Sequence, residues 1–244
     1  MQGLRPSSSG LRRPERGGVA GRLLALVLLA LVAAALMLVW MPRGPDDSSA
    51  RPSWQRSSRV SQLELLPIAA HDVVLLGASL IEHGEWAELL PGHSVRNRGI
   101  AGDKLADVLA RMQPIVAAGP RAVFVMVGLN DVLSGVPGAS IETRQRELVR
   151  RLSSGAPDTR VVLMSLLPVR RPGPAGVAAN RAIAQVNAGL KRVASESGCE
   201  FMDLTPMFTD ADGQLPSGYT VDGVHLTGAG YELWSRLLAD CGWL

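Results

Sequence analysis

The chain has 244 residues, of which 47% are hydrophobic, and a formal net charge of +3. This length and composition suffice for one domain with a sizeable core. Residues 1–60 carry nine arginines and three acidic residues, whereas the remainder carries 16 basic and 19 acidic residues. A nucleic-acid-binding domain needs a basic excess on its folded surface, so this charge distribution excludes nucleic acid as a partner.

The N-terminal residues predict a membrane anchor. Residues 1–22 form an arginine-rich tail, which we expect to be cytoplasmic, and residues 23–41 contain no charged residue. A helix over that segment is about 28 Å long, close to the ~30 Å hydrocarbon core of a bilayer. Arginines before the segment favour export of the residues after it, so we expect a single-pass cell-membrane protein with its domain outside the cytoplasm. The alternative is a signal peptide cleaved near residues 33–35.

The anchor is followed by a predicted linker and one domain. Residues 42–62 are rich in proline, serine and charged residues, which is typical of a linker, and the domain is expected over residues 63–244. Cys199 and Cys241 could form a disulfide in an exported domain or stay as buried free thiols. The cysteine and histidine spacing suggests no zinc site, and we expect neither a metal nor a cofactor.

Within the domain, short apolar runs typical of buried strands alternate with helical stretches. The predicted strands are Val73–Leu76, Ser94–Asn97, Ala122–Val127, Val161–Leu166 and Glu200–Leu204. The predicted helices are Glu82–Leu90, Lys104–Ala118, Ile141–Leu152, Asn180–Ser195 and Ala229–Ala239. This alternation predicts βαβ units and a parallel sheet covered by helices on both faces.

Four polar or glycine-rich segments follow the predicted strands. Ser79 comes after the first strand, Gly99–Asp103 after the second and Gly128–Asp131 after the third, while Asp222–His225 precedes the closing helix. Active residues of a parallel sheet collect at the carboxyl ends of its strands. We therefore expect the four segments to meet at one edge of the sheet.

Three of these residues can form a nucleophilic triad. One turn of chain can bring the Asp222 carboxylate to Nδ1 of His225, which leaves Nε2 free to take the proton of Ser79. The alternative is that Ser79 is an ordinary helix N-cap and that Asp222 and His225 are a capping residue and a surface histidine. The other histidines show no such pattern and are expected to be structural or solvated: His71, His83 and His93.

Two further residues can stabilise negative charge on a substrate oxygen. Gly102 lies in a turn where its N–H can approach an oxyanion, and the Asn130 carboxamide can donate to the same charge. The alternatives are a turn glycine with positive φ and an Asx-type turn.

These segments resemble a known enzyme family. Gly77–Leu80, Asn97–Asp103, Gly128–Asp131 and Asp222–His225 look like the four blocks of the SGNH (GDSL-type) hydrolases, in the same order and spacing over about residues 70–240. The part from residue 79 to residue 103 most resembles the small bacterial branch related to platelet-activating-factor acetylhydrolases and carbohydrate acetylesterases. The resemblance implies a three-layer α/β/α flavodoxin-like fold with a central parallel sheet.

The resemblance also implies a role for each candidate residue. Ser79 would be the nucleophile, His225 the general base and then acid, and Asp222 its orienting partner. The oxyanion hole would consist of the Ser79 N–H, the Gly102 N–H and the Asn130 side chain.

One position departs from the family, which usually has aspartate where this chain has Ala78; that residue supports the turn and is not part of the triad. We expect a membrane-anchored serine esterase that hydrolyses O-esters of a small molecule, lipid or glycan. Acetyl or another short acyl group is the favoured acyl part. Apolar Leu80, Leu129 and Val224 flank the candidate residues and would leave little room for a long chain. The alternatives are a thioesterase or lysophospholipase of this fold, an acyltransferase, or a non-catalytic module that binds envelope partners.

Overall fold

A computed structural model describes residues 53–244 of the chain. The predicted tail at residues 1–22 and the predicted anchor at residues 23–41 lie outside this range. Among residues 53–244, no helix combines the length and the apolar character needed to cross a membrane.

The centre of the fold is a five-stranded parallel sheet. Its strands are β1 Val73–Gly77, β2 Val95–Gly99, β3 Ala122–Met126, β4 Arg160–Met164 and β5 Glu200–Met202. The strands lie in the order β2-β1-β3-β4-β5, and every neighbouring pair is parallel. This is the flavodoxin-like order, with β1 and β3 adjacent at the point where the chain reverses direction across the sheet. The predicted parallel sheet is confirmed.

Helices cover both faces of the sheet. They are α1 Ser53–Leu65, α2 Ser79–Glu82, α3 Trp86–Leu89, α4 Leu105–Arg111, α5 Gln113–Ala118, α6 Leu129–Leu133, α7 Gly138–Gly155, α8 Gly173–Ser197 and α9 Gly228–Asp240. The elements α2, α3 and α9 pack on one face, and α4, α5, α7 and α8 pack on the other. All side chains of β1 and β3 are buried as a result, which explains their continuous apolar sequences. The three-layer architecture is confirmed.

Two predicted helices are interrupted: the stretch 82–90 contains the last residue of α2 and the whole of α3, and the stretch 104–118 contains α4 and α5. The stretch 82–90 divides because the Asn97 carboxamide donates to the carbonyls of Ile81, Glu82 and Gly84, which ends α2 there. The stretch 104–118 divides before Pro114, which occupies the first turn of α5. Proline lacks the N–H that a continuous helix would need at that point, so the helix restarts.

The structure also differs from the predicted linker at residues 42–62. Residues from Ser53 onward are helical, because α1 continues to Leu65. The proline-, serine- and charge-rich composition predicted a linker, but Arg56 and Arg59 of this segment form hydrogen bonds to the domain. Most helical stability in proteins comes from such tertiary contacts rather than from intrinsic propensity.

The cysteines that could have formed a disulfide are both free thiols. Burial raises the pKa of the Cys199 thiol to about 11, and it also raises the pKa of Cys241. A thiol is reactive only as the thiolate, so these side chains act as small apolar residues at neutral pH.

Candidate active site

The candidate residues come from segments at the carboxyl ends of the strands. Ser79 is the first residue of α2, directly after β1, and Asn130 lies in α6 after β3. Gly102 lies between β2 and α4, and the Asp222–His225 loop precedes α9. Gly77 at the end of β1 pairs with Gly99 of β2 and Met126 of β3, so the three strands end at the same level. The predicted meeting of these segments is therefore observed.

Ser79, His225 and Asp222 form a continuous hydrogen-bonded chain. The distance between Ser79 Oγ and His225 Nε2 is 3.0 Å, and that between His225 Nδ1 and Asp222 Oδ2 is 2.6 Å. Since a carboxylate can only accept, Nδ1 carries the proton and Nε2 accepts from the serine hydroxyl. This arrangement prepares the imidazole to remove the hydroxyl proton, as nucleophilic catalysis requires.

The Asp222 carboxylate is held in its ionised form. Burial alone would raise its pKa, but the His225 ring and the main-chain N–H groups of Val224 and His225 donate to it. These bonds outweigh the effect of burial and keep the pKa of Asp222 below its ordinary value. Half of the Asp222 side chain is nevertheless exposed.

The loop that carries Asp222 and His225 is fixed by its own backbone. The Thr220 hydroxyl donates to the His225 carbonyl at 2.8 Å and accepts from the Gly223 N–H at 2.9 Å. Gly223 has φ +88°, and a Cβ there would lie 2.1 Å from the Arg170 carbonyl oxygen. Only glycine permits both this conformation and this close approach, so Gly223 determines how the acid and the base are presented.

The turn that presents Ser79 is supported from three directions. The Tyr231 hydroxyl donates to the Leu80 carbonyl at 3.0 Å, and the Trp86 indole donates to the Ile81 carbonyl at 2.7 Å. Arg111 donates to the Gly77 carbonyl at 3.0 Å. The residue at the N-cap of α2 is Ala78, whose methyl group cannot accept a hydrogen bond from the helix, so these tertiary contacts hold the turn instead.

Gly102 lies in a tight turn, which we call the 100–104 turn after its residues. Asp103 N donates to the Ile100 carbonyl at 3.1 Å, and Gly102 has φ +84°. Gly102 is the third residue of a type II turn, and this position requires a positive φ. The interpretation of Gly102 as a turn glycine is therefore correct. A Cβ at Gly102 would face open space, which leaves its main chain accessible to a ligand.

Asn130 is tied to the same turn. Its carboxamide donates to the Asp103 carbonyl at 3.0 Å, and the next residue, Asp131, accepts from Leu105 N at 2.9 Å. A carboxamide nitrogen carries two hydrogens, so one can hold the turn while the second is available to a substrate oxygen. Asp131 is fully buried, and its part in this arrangement is to fix α6 against the start of α4.

A small cavity opens beside the Ser79 hydroxyl. Its space is about 20 Å³, on the order of one water molecule, and its apolar walls include Leu80, Met126, Leu129 and Leu166. Ser79 and Asn130 both line it. Val224, which we expected to restrict the same space, is not part of this lining.

Sequence reasoning missed two features of the site. The ring of His83 lies 5.4 Å from the ring of His225, centroid to centroid, although we expected His83 to be merely structural or solvated. The available signal was its position four residues after Ser79, one helical turn away. The second feature is the buried Asp103 carboxylate, which accepts from Arg111 Nε at 2.6 Å. Its partners lie far along the chain, so no local motif indicates them.

The sequence was compared with protein-family models and with known proteins. The model of the GDSL-like lipase/acylhydrolase family matches residues 76–233, a range that includes all five candidate residues. Subunit alpha2 of platelet-activating factor acetylhydrolase IB from Homo sapiens is 28% identical over 171 residues, which make up 66% of this chain and 71% of that protein.

Solved structures share the fold. A protein from Streptococcus pneumonia described as a platelet activating factor has a TM-score of 0.70 at 25% identity, over 85% of this chain and 98% of its own. A variant of an acetyl xylan esterase from Geobacillus stearothermophilus has a TM-score of 0.59 at 22% identity, over 70% of this chain and 94% of its own. This likeness supports a shared fold and no more. Because the family match covers more than half of the chain, the protein belongs to the GDSL-like lipase/acylhydrolase family and is a hydrolase of ester bonds.

Proposed function

We propose that this protein is a serine esterase that removes acetyl or similarly short acyl groups from oxygen. The observation that carries the proposal is the hydrogen-bonded chain from Ser79 through His225 to Asp222. Ser79 Oγ attacks the ester carbonyl while His225 Nε2 takes its proton, and Asp222 stabilises the resulting imidazolium. His225 then protonates the leaving alkoxide, and a water activated by the same imidazole releases the acyl group from Ser79.

The oxyanion would be stabilised by three N–H groups. The main-chain amides of Ser79 and Gly102 and the free hydrogen of the Asn130 carboxamide are the donors that the proposal assigns. Each such donor is typically worth about 10²–10³ in kcat, because it acts on charge that develops only in the transition state. The bond from Asn130 to the Asp103 carbonyl supports this assignment, since it keeps two of the three donors in a fixed relation.

The preference for a short acyl group rests on the cavity beside Ser79. The space of about 20 Å³ lies between apolar side chains and is on the order of one small group, so a short acyl group suits it best. Acetylhydrolase activity in the name of the Homo sapiens relative is consistent with this choice. The alcohol part of the ester in this proposal is a carbohydrate or another small alcohol.

Replacing the nucleophile tests the reaction. Ser79→Ala should abolish hydrolysis of p-nitrophenyl acetate, because no other group in the proposed mechanism attacks the carbonyl, and it should leave the melting temperature close to that of the wild type. Ser153→Ala, a change of an exposed serine on α7, is the matched control and should retain full activity. Undiminished turnover by folded Ser79→Ala would refute the proposal.

A series of p-nitrophenyl esters from acetate to palmitate tests the acyl preference. We expect kcat/KM to be highest for acetate and to fall with each added carbon, since longer chains must leave the cavity. Leu129→Ala enlarges the cavity and should move the optimum to a longer chain. A wild-type optimum at eight carbons or more would favour the lysophospholipase alternative, and faster cleavage of acetyl thioesters would favour a thioesterase.

We also propose that residues 23–41 tether the enzyme to the cell membrane, with the domain on the extracytoplasmic side. This rests on the sequence: an uncharged segment of spanning length behind an arginine-rich tail. Membranes carrying the full chain should retain it after extraction at high pH, and external protease should digest the domain. Release of the chain by that extraction would contradict the tether.

A further inference from the structure

We propose that Arg56, on the N-terminal helix α1, is a positioning residue that holds the 100–104 turn in the geometry the reaction needs. The inference rests on the proposed function, in which that turn supplies the Gly102 N–H and anchors Asn130. It assigns a role in catalysis to a helix that lies before the residues matched by the family model.

The contact is a direct one between side chains. Arg56 donates to Asp103 Oδ1 from both Nη2, at 2.9 Å, and Nε, at 3.2 Å. Arg111 donates to the other oxygen, Oδ2, at 2.6 Å. The Asp103 side chain is fully buried, and each of its two oxygens is held by one of the two guanidinium groups. Charge-assisted bonds of this kind are shorter and stronger than neutral ones, and they fix orientation as well.

Asp103 connects these arginines to both proposed donors. Its main chain follows Gly102 directly, and its carbonyl accepts the hydrogen bond from Asn130 at 3.0 Å. A rotation of the Asp103 peptide would therefore move the Gly102 amide and the Asn130 carboxamide together. Arg111 also donates to the Gly77 carbonyl, two residues before Ser79, so the same network reaches the nucleophile.

A second arginine on α1 supports the opposite side of the turn. Arg59 donates to the Gly99 carbonyl at 3.2 Å, and its Nε lies 3.7 Å from Glu82 Oε1. Glu82 in turn accepts from Ala101 N at 2.5 Å. Arg56 and Arg59 are one turn apart on the helix, so both side chains reach the same loop.

Polar contacts, rather than close packing, hold α1 in place near this loop. A cavity of about 590 Å³ lies between α1 and the pair α4 and α5, with Val60, Leu63 and Ile115 among its walls. Interiors that hold elements rigidly are packed without such voids. Loss of the Arg56 contact would therefore leave the turn free to shift, because tight packing does not fix it from the side of α1.

The test compares Arg56→Gln with the wild type in the full chain. Arg56→Gln removes the hydrogen bonds to Oδ1, so kcat for p-nitrophenyl acetate should fall about tenfold with little change in KM. The effect should be smaller than complete loss of one oxyanion donor, about 10²–10³. Arg56→Lys keeps the charge without the forked geometry and should lose only a few-fold.

Two readouts separate positioning from a merely structural role. A methyl boronic acid, which mimics the tetrahedral intermediate, should bind Arg56→Gln more weakly by the same factor as the loss in kcat. Hydrogen exchange of the amides in the 100–104 turn should also accelerate. The exchange measurement needs no enzymatic activity, so it remains informative even if the wild type hydrolyses no ester and the proposed function fails.

Two matched controls complete the design. Gln62→Ala alters the exposed face of the same helix, and Arg150→Gln removes an exposed arginine that pairs with Glu147 on α7. Both should match the wild type in kcat and exchange. If Arg56→Gln does not fold, Arg56→Lys carries the same test with its smaller expected loss. Wild-type kcat, inhibitor affinity and exchange in folded Arg56→Gln, or an equal loss in Gln62→Ala, would overturn the proposal.

Discussion

The Asp222 carboxylate illustrates how single residues determine the chemistry of this site. It accepts the Nδ1 proton of His225 and two main-chain N–H groups while half of its side chain is exposed to solvent. In the proposed mechanism, Asp222 therefore contributes by orienting the imidazole as much as by its charge. The short loop closed by Thr220 and Gly223 supplies that orientation.

Replacement of this carboxylate by an amide should be severe. In Asp222→Asn the amide can donate to Nδ1, which favours the imidazole tautomer that has its proton on Nε2 and cannot accept from Ser79. We expect kcat to fall about 10³–10⁴-fold with KM nearly unchanged. Asp212→Asn, in an exposed loop, is the control for loss of a surface charge. A drop of less than tenfold would show that His225 does not need this partner.

The sequence was sufficient to predict which residues meet, but not what supports them. Ser79, Gly102, Asn130 and the Asp222–His225 loop follow strand ends, and parallel strands bring those ends to one edge. The support comes from long-range contacts such as Tyr231 with the Leu80 carbonyl, which join residues 151 positions apart. No local pattern encodes such a pair.

At the scale of elements, Asp72 shows how a strand is tied down at the end away from the site. Its carboxylate accepts from Ala69 N at 2.7 Å, Ser94 Oγ at 2.6 Å and Arg96 Nε at 2.8 Å, with His71 3.7 Å away. Burial alone would raise the pKa of Asp72, but these donors hold it well below its ordinary value. Asp72 lies directly ahead of β1, at the end of the strand opposite to Ser79.

This shift predicts how stability depends on pH. Because the pKa is lower in the folded state, the contribution of Asp72 is complete above its unfolded pKa, about 3.9, and is lost as pH falls toward the folded value. Asp72→Asn should therefore lose about 3 kcal/mol at pH 7 in chemical denaturation, and the difference from wild type should shrink below pH 4. Asp158→Asn, an exposed control, should show no such convergence. A difference independent of pH would refute this explanation.

The elements that the sequence mispredicted have identifiable physical causes. The helical periodicity of residues 82–90 and 104–118 did not reveal where these helices are interrupted. The first interruption depends on the Asn97 side chain, which lies on β2. The second depends on Pro114 at the start of α5. The polar composition of residues 53–62 hid α1, whose arginines are satisfied by the distant Asp103 and Gly99. Tertiary contacts override local preference in both the first break and α1.

For the molecule as a whole, the parallel sheet agrees with the predicted alternation of strands and helices, and the family match agrees with the resemblance of the four sequence blocks. The match to residues 76–233 leaves α1 outside it, yet α1 contacts the turn next to Asn130. Enzymes of one fold differ mainly in the segments around a shared site. The N-terminal helix is therefore a part of this chain that the family model does not describe.

The proposed function requires Ser79 to be the nucleophile of a short-acyl esterase. The most direct measurement treats the full chain with a fluorophosphonate, which reacts with activated serines, and locates the label by mass spectrometry of peptides. We expect one label, on Ser79, at a rate that p-nitrophenyl acetate reduces by competition and that Asp222→Asn lowers strongly. A label on another residue, or ester hydrolysis that continues while Ser79 stays unlabelled, would contradict it.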